Sequence, residues 1–304
     1  MRSLSQNASQ VFAPLTAGLF LAIAGLGGVL IVDLITFLIA MATLIAVHIP
    51  QPKPLNQDKT ERFWARLTFG FQYIYERPGL FGLMMIFVGI QTFATLTYFS
   101  ILPAMILARS GNNEIALAVT QAALGIAGIL GGLVISIWGG PKRLIHGALG
   151  ATAISFLFGD FLFAVGQTLL VWVIAASVAA FFIPFITASN RTIWQSKVPP
   201  ALQGRVHAVR ITAENITRPF SYVFAGYLAD DIFEPAMMPD GDWATTFGWL
   251  VGTGPGAGMG LMFACTALLG CVVSLAGYVS PTIRNVETIL PDHDEVEIYA
   301  TSKP

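Results

Sequence analysis

The chain has 304 residues, a net charge of −1, 55% hydrophobic and only 11% charged residues, and a mean hydropathy of +0.71. A soluble domain carries about 25% charged residues, so this apolar surplus excludes a single water-surrounded core and makes a lipid bilayer the expected solvent. Scattered basic residues at near-zero net charge exclude a nucleic-acid surface, and Cys265 and Cys271, both in one apolar stretch, support neither a disulfide framework nor a zinc site.

A helix crossing the hydrocarbon needs about 20 mostly apolar residues. Such runs fall at 9–27, 28–48, 81–104, 115–138, 144–165, 168–188, 211–229 and 257–279. Each must be helical, because unpaired backbone groups in lipid cost several kcal/mol apiece. The expected fold is therefore an all-α membrane protein with eight transmembrane helices. The first run has no small-residue cleavage site after a short apolar core, so it does not read as a removable leader. It carries "VFAPLTAGLF", with Pro14 and Gly18 inside an apolar helix. Small residues let helices approach closely, and a proline removes a backbone donor and permits a bend. A packing helix and a gating helix both fit that pattern.

The second run, joined to the first through Gly25, Gly27 and Gly28, contains Asp33. A charge in the bilayer costs about 2.5–3.5 kcal/mol at mid-depth on insertion scales, which makes each one a functional candidate. Asp33 either couples to a proton or is a packing carboxylate capped by hydroxyls or waters. Residues 49–80 follow as a linker: Pro50, Pro52 and Pro54 break the preceding helix, and Trp64, Leu67, Phe71 and Ile74 recur at helical spacing before Pro78. This predicts an amphipathic helix on the membrane surface.

In the third and fourth runs Gln91, Tyr98 and Gln121 are polar groups within apolar helices, suited to lining a substrate path or to interhelical hydrogen bonds. "GIAGILGG" at 125–132 sets Gly128 and Gly132 at the spacing of close helix packing. Lys142 and Arg143 follow in the next loop as positive-inside membrane anchors. Asp160, in "LFGDFLF", is the second proton-coupling candidate, and a buried packing role is its alternative. Glu214 and Arg218 are spaced i, i+4 and are expected to pair near the inner end of the seventh run, as a structural tie or as a gate. The acidic loop 230–256 reads as solvated. Its pair Asp230–Asp231 has no second motif beside it, so an intramembrane enzyme is not expected, nor is any metal or cofactor.

With the N-terminus placed in the cytoplasm, alternating spans put 14 of the 16 Lys and Arg on the inner side, as the positive-inside rule requires. Arg109 falls outside and Arg218 within a span. Both termini are then cytoplasmic in a multi-pass cell-membrane protein. "NASQVFAPLTAG" (7–18) also aligns with "NITRPFSYVFAG" (215–226) at an offset of 208, matching Asn7 with Asn215, Phe12 with Phe220 and Ala17-Gly18 with Ala225-Gly226. Duplicated halves are a common transporter plan. If the first two runs correspond to the last two, four spans are missing from the front.

On these residues the chain resembles the major facilitator superfamily, in its bacterial macrolide- and drug-efflux-type proton antiporter branch. "FAPLTAGL" is similar to the helix 5 antiporter motif through Pro14 and Gly18, with Ala13 and Ala17 replacing glycines. "LIVDLITFLI" resembles the helix 6 pattern through Asp33, Thr36 and Phe37. "WGGPKRLIHG" resembles the inner-loop signature through Gly139, Gly140, Lys142 and Arg143, without its aspartate, and "VPPALQGRVHAVR" with "FAGYLAD" resembles the loop and helix 11. The resemblance implies a partial fold: helices 5 and 6 over residues 1–48, a linker at 49–80, a complete six-helix half at 81–279 and a tail at 280–304. It implies proton-coupled efflux of small amphiphilic molecules by alternating access, with the bilayer, protons, a small-molecule substrate and either the missing helices or a second copy as partners. A transport-incompetent scaffold or partner subunit is the alternative. For Lys142 and Arg143 the resemblance implies inner-gate contacts.

Overall fold

The computed structural model describes residues 31–45 other than 33 and 44, and residues 63–290, with side chains from 68 onward in the second stretch. The chain divides into two compact units, Met1–Glu61 and Arg62–Pro304. In the first, helix α1 (Leu34–Thr43) is described. The hydroxyls of Thr36 and Thr43 turn back onto the carbonyls of Val32 and Ile39, each at 3.0 Å, which hides a polar atom on an apolar helix. Pro14, Gly18 and Asp33, and residues 7–18 of the repeat, lie outside the described residues.

Among the described residues the second unit is built of helices joined by turns. It opens with α2 (Phe63–Tyr75), which packs through Gly70, Tyr73 and Ile74. A Cβ on Gly70 would stand 3.0 Å from the Arg205 carbonyl and 2.8 Å from Val209, so the absence of a side chain sets this contact. The buried face is thus shifted from the expected stripe, and Phe71 remains 49% exposed. Pro78, expected to end the amphipathic pattern, instead occupies the first turn of α3 (Pro78–Ala94), where its missing N–H costs nothing. A π-turn at Thr95–Phe99 leads to α4 (Leu102–Arg109), and α3 and α4 form one rod.

Helix α5 (Glu114–Trp138) starts at Asn113, whose side chain accepts from the Ala116 N–H at 3.1 Å, and stops at Gly139 with φ 81°. That left-handed stop is the glycine geometry of a helix end. The next rod, His146–Val165, contains α6 (Ala151–Ile154) and α7 (Phe161–Val165) between π-turns at His146–Gly150 and Ser155–Asp160. Helix α8 (Leu169–Lys197) is longest, and α5 lies so close to it that a Cβ on Gly131 would meet the Phe181 carbonyl. Gly131, next to the expected Gly128 and Gly132, is thus a point of close approach. Then come α9 (Pro200–Asn215), α10 (Arg218–Tyr227), a π-turn at Leu228–Phe233, α11 (Glu234–Met237), α12 (Ala244–Val251), α13 (Ala257–Val279), α14 (Pro281–Arg284) and α15 (Val286–Ile289).

Among the described residues five helical rods are long and apolar enough to cross a membrane: Pro78–Arg109, Glu114–Trp138, His146–Val165, Leu169–Lys197 and Ala257–Val279. Of the eight expected runs, these rods match 81–104, 115–138, 144–165, 168–188 and 257–279. The run 9–27 lies outside the described residues, and 28–48 is represented by the ten-residue α1. The run 211–229 is not one helix, because α9 ends at Asn215 and α10 begins at Arg218. Pro219 explains the break: its ring displaces the carbonyl four residues earlier and its nitrogen donates nothing.

Three apolar cores fill the bundle, two of them large and a smaller one around Met237, Val251 and Leu261. One large core gathers Ile74, Leu83, Ile145, Leu149 and Trp194 toward the end carrying Lys142, Arg143 and Lys197, the basic end. The other gathers Met105, Phe163, Trp172 and Phe263 toward the end carrying Asp230, Asp231 and Glu234, the acidic end. Along the α3–α4 rod the fully buried members of the first core end at Ile90 and those of the second begin at Ile101, with Phe93, Ala94, Leu96 and Tyr98 partly buried between them. A layer of polar residues, Gln91, Thr92, Thr95 and Thr97, shares that stretch.

Candidate functional site

The polar layer is built where α3 passes into its π-turn. Gln91 lies thirteen residues past Pro78 and eighteen before Arg109 on that rod. At about 1.5 Å per residue, this is about 20 Å along a helix crossing roughly 30 Å of hydrocarbon, well inside the bilayer. Thr92 donates to the Val88 carbonyl at 2.8 Å and meets the Thr217 hydroxyl at 2.8 Å. Thr217 is the residue before α10, so the broken helix is tied to α3 at this depth.

Arg218 opens α10 beside that tie. With the Gln91 amide oxygen turned toward it, the guanidinium donates from Nε at 3.0 Å and from Nη2 at 2.8 Å. Its carbon also lies 5.6 Å from the centre of the Phe99 ring, a cation–π arrangement. Glu214 does not pair with Arg218 as the i, i+4 spacing suggested. It pairs one turn back, with Arg210 Nε at 3.4 Å. The break at 216–217 rotates Arg218 away from the α9 face that carries Glu214, so the helical spacing no longer brings the two together. Among the described residues no carboxylate lies within ion-pairing distance of Arg218. Nor does Arg218 sit at the inner end of a span, since Gln91 holds it at its own depth.

Tyr98 packs edge-on against Phe99 with ring centres 5.2 Å apart. Asp160 is 5% exposed, at the end of the π-turn Ser155–Asp160. Such turns insert one residue into the helical ladder and recur at functional sites. Here Thr97 and Thr266 bridge the π-turn Thr95–Phe99 to α13 at 3.1 Å. Within the five rods Asp160 is the only carboxylate away from a helix end.

The structure therefore brings Gln91 and Arg218 together beside Phe99, with Tyr98 packed on the same ring, and buries Asp160 on the neighbouring rod toward its acidic end. Gln121 is not among them; it is exposed on α5. Lys142 and Arg143 lie exposed at the basic end, after Gly140 with φ 87°. Sequence reasoning missed three charged groups that act as fasteners. Glu287 accepts from the Leu144 and Ile145 N–H groups at 2.9 and 3.0 Å. Glu234, placed in a solvated loop, accepts from the Gly256 and Met259 N–H groups at 3.1 and 2.9 Å, on the first turn of α13, where a negative charge meets the positive helix end. Arg109 donates to five carbonyls: Gly256, Phe163, Ala164, Gly166 and Val251, at 2.6–3.4 Å. No local pattern announced any of these, because every partner is more than 20 residues away in sequence. For Arg109 one signal existed: its isolation on the side otherwise poor in basic residues.

The family model of the Major Facilitator Superfamily matches residues 1–222. Curated relatives include Macrolide efflux protein A of Streptococcus pyogenes, 21% identical over 231 residues that cover 75% of this chain and 56% of that protein. Macrolide efflux protein A of Enterococcus faecalis is 21% identical over 218 residues, covering 70% and 66%. The chain thus spans little more than half the length of the first of these relatives. No solved structure matches it. With all-helical architecture, five membrane-length rods and a family match over most of its residues, the chain belongs to the Major Facilitator Superfamily of membrane transporters.

Proposed function

We propose that the chain is the transport-competent core of a proton-coupled exporter of small amphiphilic molecules, working by alternating access in the cell membrane with both termini cytoplasmic. The observation that carries this reading is the mid-depth polar layer between the buried residues of the two large apolar cores. Transporter sites are commonly built near the midplane from discontinuous helices, and α9 and α10 are discontinuous beside Arg218. In this reading Asp160 carries the proton, with Asp33 as the second candidate. Arg218, Gln91 and Tyr98 contact the polar part of the substrate, and Phe99 contacts its apolar part. Pro14, Gly18, Lys142, Arg143 and Glu214 act in gating, and Gln121 serves the substrate path away from the layer.

The test is transport in proteoliposomes carrying the full chain, with a pH gradient imposed. A macrolide is the first compound to try, since the relatives are named for macrolide efflux. The expected result is gradient-driven accumulation that Asp160→Asn lowers at least tenfold, equivalent to about 1.4 kcal/mol in the driving interaction, while Asp160→Glu retains part of it. Accumulation unchanged in Asp160→Asn removes Asp160 from coupling. No accumulation by the unaltered chain with any amphiphile supports the scaffold or partner-subunit reading instead.

A further inference from the structure

A recess of about 250 Å³ lies at the basic end between α8 and α9, away from the polar layer. Arg191 and Trp194 line it from α8, and Gln203, Gly204 and His207 from α9. Its depth follows from α8 itself. Arg191 is 22 residues past Leu169, or about 33 Å along the helix, which is one hydrocarbon thickness of about 30 Å. The recess therefore opens at the level of the lipid headgroups.

Its electrostatics are one-sided. Arg210 sits 5.3 Å from the centre of the Trp194 ring, behind the recess, and its counter-charge is Glu214 on the far side. Partial burial, and then the charges of Arg210 and Arg191, hold the His207 imidazole below its usual range, so both guanidiniums act on the same ring. The floor is closed by Gln203, whose amide donates to the Gln195 and Val198 carbonyls at 3.1 and 3.0 Å. At Gly204 nothing stands within 4 Å of where a Cβ would project. A rigid floor, an open glycine, the Arg191 guanidinium and the N–H of a neutral imidazole suit a compact oxyanion. Arginine matches phosphate oxygens with two parallel donors.

We propose that this recess binds a phosphate group, held by Arg191 and His207, and that an anionic phospholipid delivers it. Basic pockets between transmembrane helices hold lipid headgroups in this way. The inference does not depend on the transport reading, because it concerns a site that faces the lipid interface.

The experiment measures thermal unfolding of the full chain in phosphatidylcholine micelles, alone, with added phosphatidylglycerol, or with inorganic phosphate against chloride of equal ionic strength. Phosphatidylglycerol is expected to raise Tm by several degrees. The double variant Arg191→Gln/His207→Gln loses that gain. So does Gly204→Glu, which places a carboxylate in the recess at a position the fold leaves open. Arg284→Gln, which removes an exposed basic charge elsewhere, keeps the gain. An equal gain from inorganic phosphate, abolished by the same substitutions, upholds the phosphate site and assigns it to the free ion. A phosphatidylglycerol gain that survives in both recess variants overturns the proposal, and so does an equal loss in Arg284→Gln.

Discussion

Two arginines of this bundle, Arg109 and Arg218, are held in opposite ways. Arg109, at the acidic end, spends its planar donor fork on five carbonyls from three segments, with Glu234 capping α13 beside it. Arg218, half-buried beside α3, has one amide, one aromatic ring and no carboxylate among the described residues. The difference separates a fastener from a site. A guanidinium whose donors all meet fixed backbone acceptors cannot exchange partners without unravelling helix ends. One held by a single neutral side chain can turn toward a substrate at little cost.

Substitutions test that contrast, and the largest effect belongs to Arg109. Arg109→Ala strands carbonyls at the ends of α7 and α12 and leaves the buried Glu234 without its neighbouring cation, so stability should fall by about 3–5 kcal/mol. Unfolding in detergent followed by circular dichroism reads it, and a loss below about 1 kcal/mol would reduce Arg109 to an ordinary surface charge. Glu234→Gln keeps the shape but removes the charge at the start of α13, and should cost about 1–2 kcal/mol in the same assay. Arg218→Gln should change stability by less than about 1 kcal/mol, near the average of about 0.6 for polar contacts between membrane helices, while abolishing transport. The reverse pattern, a large unfolding shift with transport intact, would make Arg218 a second fastener. The smallest effect is expected for Thr97→Val: the hydroxyl bridge to Thr266 is lost, but Thr266 keeps the Met262 carbonyl. The cost should be about 0.6 kcal/mol, visible as a slight drop in Tm.

Several elements were legible in the chain before any coordinates. The rods at 114–138, 169–197 and 257–279 announce themselves because hydrocarbon accepts only continuous apolar helix, and the stop after Trp138 is written as Gly139-Gly140. The break before α10 was legible too, in Pro219, but a count of apolar residues passes over one proline. Gln91, Tyr98 and Asp160 stood out as polar residues in apolar runs; the meeting of Gln91 with Arg218 did not, since they come from different helices.

What the sequence determined by itself was the solvent and the class: helical, membrane-embedded, and similar to a transporter family through short local motifs. Those properties depend on composition and on spacing within single helices. Only the tertiary structure decided which charges are fasteners and which are free to act. Arg109 reaches carbonyls 54 to 147 residues away, and Glu214 finds Arg210 rather than Arg218 because a backbone break turns one helix face from the other. Partner choice in a low-dielectric interior follows from proximity in three dimensions, and spacing along the chain reports it only while the helix remains unbroken.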